Sequence, residues 1–304
     1  MPGMSDALQA ALRDRAEAVD STLDLLIPDV TDPEGRVFEA MRYSVLGGGK
    51  RLRPFLVLTT AEMFRVAERS ALRTAAAVEM LHCYSLIHDD LPAMDNDDMR
   101  RGRPTCHRRF DEATAILAGD ALLTRAFEVL AAETTHADPS VRCQLVSELA
   151  RAAGPHGMVG GQMVDLLTER HGEARDALDV AAITRMHQMK TGRIIGFSCM
   201  AGAILGKAPP QLRHALQAYA HDLGLAFQIV DDLLDVEGDP ATLGKSLGKD
   251  AASGKVTFVT LLGLDRARDH ARILGEQAIS HLKVFDGEAD LLRDVVQYVL
   301  DRKS

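Results

Sequence analysis

The sequence predicts an all-α protein, a single domain of roughly 12–13 helices over residues 1–304. Three observations predict it. Apolar residues recur at helical spacing along almost the whole chain, and alternating strand patterns are nearly absent. Aromatic residues are 4% of the chain and tryptophan is missing, so an aliphatic core rich in Ala and Leu is expected, which favours helices over sheets. No low-complexity linker or clear internal repeat divides the sequence.

The elements follow from where the helix breakers collect. Helices are predicted over 5–26 and 34–46, up to the break LGGGKRLRP, then over 54–67 and 71–91, up to DLPAMDNDDMRRGRP. A helix over 111–134 closes at THADPS, and helices over 139–153, 158–170, 177–191 and 193–205 lead to GKAPP. A long helix over 209–237 ends at EGDPATLGKSLGKDAASGK, and 255–272, 274–284 and 288–301 complete the chain.

Composition narrows the function. Lys and Arg number 35 against 44 Asp and Glu, a net charge of −9, which disfavours nonspecific nucleic-acid binding. Cys83, Cys106, Cys143 and Cys199 lie far apart and form no C-x-x-C, so neither a zinc site nor a disulfide framework is expected. The N-terminus MPGMSDALQAALRDRAEAVD has no apolar signal core, and no stretch approaches the roughly 18 apolar residues of a membrane span. A soluble, cytoplasmic protein is the expectation.

Two aspartate clusters carry the chemistry. HDDLPAMDND, His88 to Asp97, crowds four aspartates behind an apolar-rich helix, and like charges at that density cost stability unless a cation sits among them. His82, Ser85 and Asp89 share one helix face, while Met80, Tyr84, Ile87 and Leu91 form the apolar stripe. Asp89 and Asp95 would be about 120° apart on an ideal helix. Pro92 ends or kinks that helix, so Asp95 is expected to fold back towards Asp89. The second cluster, FQIVDDLLD, places Gly224, Gln228, Asp231 and Asp235 on one stripe of an otherwise apolar helix. Hard carboxylates in a cleft suit a Mg²⁺ that keeps waters and shares substrate phosphates; a solvated acidic patch or helix cap is the bland alternative.

Basic residues stand ready for an anion. GGGKRLRP puts Lys50, Arg51 and Arg53 on a glycine-rich loop opening a helix, where free amides favour anions. MRRGRPT sets Arg100 and Arg101 directly after the first cluster, and MHQMKTG adds Lys190 and Thr191 near a helix end. Neither GGGKRLRP nor GDPATLGKS has P-loop spacing, and Arg100 stands where an EF-hand loop from Asp95 would need glycine. A diphosphate held through metal fits these features best.

Together, GGGKRLRP, LHCYSLIHDDLPAMDNDDMRRGRPTCH, ATAILAGDALL, GGQMVDL, MKTG and FQIVDDLLDVEGDPATLGKSLGKD closely resemble, in order, the short-chain trans-prenyl diphosphate synthases, in particular the bacterial farnesyl/geranylgeranyl type. The likeness runs over essentially the whole chain. DDLPAMD is similar to that family's first aspartate-rich motif and DDLLD to its second. The resemblance implies the isoprenoid synthase fold, helices around a deep central cavity, usually as a homodimer. It implies three Mg²⁺ ions, with Mn²⁺ a possible substitute: Asp89 and Asp95 for two and Asp231 for a third, with Asp90, Asp232 and Asp235 in support. An allylic diphosphate would meet Arg100, Lys190 and Lys245, and isopentenyl diphosphate the Gly49 loop with Lys50, Arg53, His82 and Arg101. Thr191 and Gln228 would lie beside the developing cation. The Gln228–Asp231 stripe read from helical spacing agrees.

In this family the side chains one or two turns before the first motif limit product length. Here they are Tyr84 and Ser85, about 7.5 and 6 Å of helical rise from Asp89. A bulky Tyr84 resembles the farnesyl-forming pattern, although Gly196-Phe197 departs from it and keeps a C20 geranylgeranyl product open. A terpene cyclase is disfavoured by DDLLD, and an HD-type phosphohydrolase would leave that motif and the basic loop unexplained. A noncatalytic helical subunit is the alternative from another class, yet every matched ligand position is intact. The terminal Arg302-Lys303 reads as an exposed charged tail rather than a lid over the diphosphates.

Overall fold

The computed structural model describes residues 5–170, 179–237 and 256–302. The chain divides into two compact units: Ala10–Val146 with Ile204–Lys207, and Met1–Gln9 with Ser147–Ala203 and Ala208–Ser304. Both are helical, the class that the periodicity predicts.

In the first unit, α1 (Asp6–Leu26), α2 (Gly35–Val45), α3 (Leu52–Met63) and α4 (Glu68–Asp89) precede a small hairpin of β1 (Met99–Arg100) and β2 (Arg103–Pro104). A short α5 (Cys106–Arg109) and then α6 (Glu112–Ala131) follow. The central helix is α4, whose Ala75, Ala76, Ala77, Val78, Met80 and Leu81 are fully buried. A helix apolar on so many sides must be covered all round, and α3 and α6 pack on it. Asp111 caps α6 by accepting from the Thr114 amide at 2.7 Å. The helix expected over 54–67 instead stops at Met63, where Arg65 turns left-handed at φ 53°, and α4 starts at Glu68 after an extended Ala67.

The hairpin is the one β-structure among the described residues. Arg101 and Gly102 both take positive φ, 52° and 74°, the backbone of a two-residue type I′ turn. The Arg-Gly pair lacks the usual Asn-Gly signal, so spacing alone did not reveal it.

The second unit takes in α7 (Pro139–Ala153) from Ser147 onward, then α8 (Met158–Arg170) and α9 (Val180–His187), which passes through a π-helical turn, Gln188–Gly192, into α10 (Arg193–Leu205). The 28-residue α11 (Pro210–Glu237) is its axis. Then come α12 (Phe258–Leu262), α13 (Leu264–His281), a 3₁₀ stretch (Leu282–Ala289) and α14 (Asp290–Asp301). The core joins Ile183 of α9, Leu225, Ile229 and Leu233 of α11, Phe258 of α12, and Ala267, Ala271 and Leu274 of α13. The predicted break near residue 273 is corrected. The helix is interrupted at Gly263 (φ 80°), while Gly275 lies inside α13 and makes room for Val296 and Leu300 of α14. Among the described residues no helix is long and apolar enough to cross a membrane.

Candidate active site

The glycine-rich loop after α2 is shaped by backbone that ordinary side chains avoid. Gly48 and Gly49 take φ of 83° and 132°. A Cβ on Gly49 would collide with the Arg101 guanidinium, which donates to the Gly48 carbonyl. Gly49 is therefore the floor under Arg101. The loop exposes Lys50 and buries Arg51, then opens α3, on which Arg53 Nη1 comes within 3.4 Å of His82 Nε2 on α4. Burial, then Arg53 and Arg101, hold the His82 pKa well below its usual value. The imidazole is neutral at pH 7. It adds no charge to a cluster already cationic, and hydrogen bonding to an anion is the role left to it.

At the other end of α4, Asp89 is the last helical residue and Pro92 follows within the turn. The Asp95 amide donates to the Asp89 carbonyl at 2.8 Å, and left-handed Asn96 (φ 53°) donates to Leu91. The expected fold-back of Asp95 towards Asp89 is thus made by backbone hydrogen bonds. Asp90 is tied to the hairpin. It is buried, and it accepts from Arg100 Nε at 2.8 and 2.9 Å and from Nη2 as well. Tyr84 is 9% exposed and meets His88 edge-on at 5.2 Å, while His88 fits over Gly119 of α6, where a Cβ would overlap its ring. Ser85 donates to the His82 carbonyl at 2.8 Å.

In the second unit the π-helical turn carries Lys190 and Thr191. Such turns push backbone out of register and recur at functional sites. Gly161 of α8 allows the approach: a Cβ there would lie 2.7 Å from the Lys190 Cα. Gly224 of α11 meets the turn from another side, its Cβ position 3.2 Å from the Gly192 Cα. Lys190 Nζ is paired with Asp165 of α8, whose side chain is 4% exposed. Thr191 Oγ1 points to Gln228 Oε1 at 3.4 Å, and Gln228 Nε2 donates to Asp232 at 3.2 Å. Asp232 also accepts from the Phe258 amide at 2.9 Å, tying α11 to α12. The stripe read from spacing is real: Gly224 and Gln228 face the π turn, and Asp231 and Asp235 continue it along α11. Gly161→Ala is expected to lower the melting temperature by several degrees, since backbone and not a flexible tip blocks the added carbon. Thermal unfolding followed by circular dichroism measures it.

Asp231 Oδ1 accepts from Arg302 Nη2 at 2.7 Å, and the same nitrogen donates to the Phe227 carbonyl at 2.8 Å. The guanidinium lies 3.8 Å over the Phe227 ring and the side chain is 7% exposed. The expectation of an exposed tail is corrected for Arg302: ring, carbonyl and carboxylate together outweigh its solvation. Lys245 and Lys303 lie outside the described residues. Among the described residues no group of three or more His, Cys, Asp or Glu is gathered as a metal cage.

The polyprenyl synthetase family model matches residues 34–297, which includes every element above from α2 to most of α14. The chain belongs to the polyprenyl synthetase family. It is 48% identical over 273 residues to the farnesyl diphosphate synthase of Escherichia coli K12, covering 88% of this chain and 90% of that one. It is 45% identical over 253 residues to a chloroplastic geranylgeranyl pyrophosphate synthase of Catharanthus roseus, covering 83% and 70%. The crystal structure of an FPP/GFPP synthase from Zymomonas mobilis superposes with a TM-score of 0.89 at 48% identity, over 96% of this chain and 99% of that one.

In this polyprenyl synthetase, sequence reasoning passed over Asp165, Glu79 and the inward turn of Arg51. Asp165 sits within GGQMVDL, and its signal was an acid one helical turn after Gly161 among Met163, Val164, Leu166 and Leu167. Glu79 carried a similar signal, an acid amid AAAVEML.

Proposed function

We propose that the protein condenses isopentenyl diphosphate head to tail with dimethylallyl and geranyl diphosphates to make farnesyl diphosphate. The carrying observation is in the first unit: Arg53, His82 and Arg101 gather around the glycine loop, and His82 shares α4 with Asp89, to whose carbonyl the Asp95 amide donates. Lys50, Arg53, His82 and Arg101 hold the diphosphate of isopentenyl diphosphate. Lys190, with Arg100 and Lys245, holds the allylic diphosphate.

The donor set fits divalent magnesium, since it consists of hard carboxylate oxygens with no thiolate among them. Asp89 and Asp95 for two ions and Asp231 for a third are the direct ligands in this reading, with Asp90, Asp232 and Asp235 in support. Asp90 accepts from Arg100, and Asp232 accepts from Gln228 and the Phe258 amide, so both are also held by the protein frame. Up to three Mg²⁺ ions, or Mn²⁺ in their place, supply Lewis-acid neutralisation of the allylic diphosphate when bound.

The allylic C–O bond breaks with its electron pair leaving on the diphosphate. The isopentenyl double bond attacks the cation, a C–C bond forms, and a proton passes to the departed diphosphate. The chain's own groups do the holding: Lys190 steadies the leaving diphosphate, and the Thr191 hydroxyl and Gln228 carbonyl turn oxygens towards developing positive charge. No protein nucleophile is required. We read residues 1–304 as one catalytic domain of a cytoplasmic homodimer, a reading supported by the family match running through both units.

Product length tests this proposal. With Mg²⁺, isopentenyl diphosphate and dimethylallyl or geranyl diphosphate, a dominant C15 product is expected, and Tyr84→Ala is expected to shift it to C20 or longer. Removing the ring opens the space held between α4 and α6 against His88. A C20 product from the unaltered protein would favour geranylgeranyl diphosphate, the activity named for the Catharanthus roseus relative. No condensation with any primer would revive the noncatalytic subunit.

A further inference from the structure

Three basic residues open α3, and the middle one turns away from the anion cradle. Arg51 takes a left-handed backbone (φ 49°, ψ 34°) as the cap of α3, a conformation that a non-glycine residue holds only when its surroundings impose it. Its side chain, 1% exposed, donates from Nη1 to Glu79 of α4 at 2.6 Å, from Nε to Asp20 of α1 at 2.9 Å, and from Nη2 to the Val45 carbonyl at the end of α2. Glu79 is 2% exposed. One guanidinium thus joins three helices to the loop.

We infer that the buried Arg51–Glu79 pair is a positioning device for the isopentenyl diphosphate cradle, an inference that rests on the function proposed above. Glu79 stands one helical turn before His82 on α4. Drawing Arg51 inward flips the backbone between Lys50 and Arg53, so that Lys50 emerges to solvent and Arg53 meets His82. A buried ion pair is a poor source of stability, because desolvation offsets its attraction and apolar pairs of like size often serve as well. Its use here is directional: a fork of donors fixes loop register against α4 in a way that an apolar side chain cannot.

The test compares wild type with Glu79→Gln and with the double variant Arg51→Met/Glu79→Leu. Affinity for isopentenyl diphosphate is read by calorimetry, both Michaelis constants by turnover, and folding by melting temperature. The double variant is expected to keep a melting temperature near that of wild type. Its Kd and KM for isopentenyl diphosphate are expected to rise about tenfold, with KM for geranyl diphosphate within about twofold. Glu79→Gln, which keeps one acceptor, should fall between. A double variant with wild-type affinity overturns the inference, as does a loss shared equally by both substrates and tracking the melting temperature. Absence of binding and turnover in wild type would instead overturn the functional reading, and the cradle with it.

Discussion

Asp89→Ala and Asp231→Ala are each expected to lower turnover by about 10³-fold while leaving helical content unchanged. Both carboxylates stand at partly exposed positions, Asp89 at the end of α4 and Asp231 on the α11 stripe with its side chain 42% exposed. Neither holds the core together. Asp231→Ala releases Arg302 from one partner, yet the guanidinium keeps the Phe227 ring and carbonyl, so α14 should stay docked. Asp90→Ala provides the contrast. Removing a carboxylate that is 4% exposed takes from Arg100 its closest partner and leaves it Asp97 at 3.7 Å, so a stability loss of about 2 kcal/mol is expected beside any loss of rate. Steady-state kinetics and circular dichroism on the three variants separate the two behaviours. Near-normal rates in both Asp89→Ala and Asp231→Ala would refute the metal roles.

Lys190→Met is expected to lower kcat by about 10²-fold, the scale of removing one preorganised charge from a developing anion. It should also destabilise the protein, because Asp165 is 4% exposed and loses its cation. Lys190 itself is 26% exposed, so solvent screens the pair and the stability loss should be modest. Lys190→Arg separates the effects: charge is retained and the fold should recover. The longer planar head, displayed from a π turn whose backbone touches Gly161, should not recover the full rate. A Lys190→Met enzyme with unchanged kcat would remove Lys190 from the leaving-group side of the reaction.

Much of the candidate site was legible because its residues repeat at helical spacing. Gln228, Asp231 and Asp235 declare themselves as one stripe on α11, and Asp95 is tied to Asp89 by the proline that ends α4. The hairpin was hidden because Arg-Gly is a weak turn signal. The break expected near residue 273 fails because α13 runs through it, and Gly275 inside that helix admits Val296 and Leu300. Arg302 was misread because a charged chain end has no local feature to foretell an aromatic ring seventy-five residues away.

By itself, then, the sequence determined what depends on neighbours along the chain: an all-α fold, the aspartates and amide on their helix faces, and a cationic glycine loop. The tertiary structure alone decided which of several like residues face which way. Lys50, Arg51 and Arg53 carry the same charge within four residues, and Asp89 and Asp90 are the same residue type side by side. Glu79 draws Arg51 inward and Arg100 draws Asp90 aside. The physical reason is that a buried charge must find its opposite, and that opposite lies on another element of the fold.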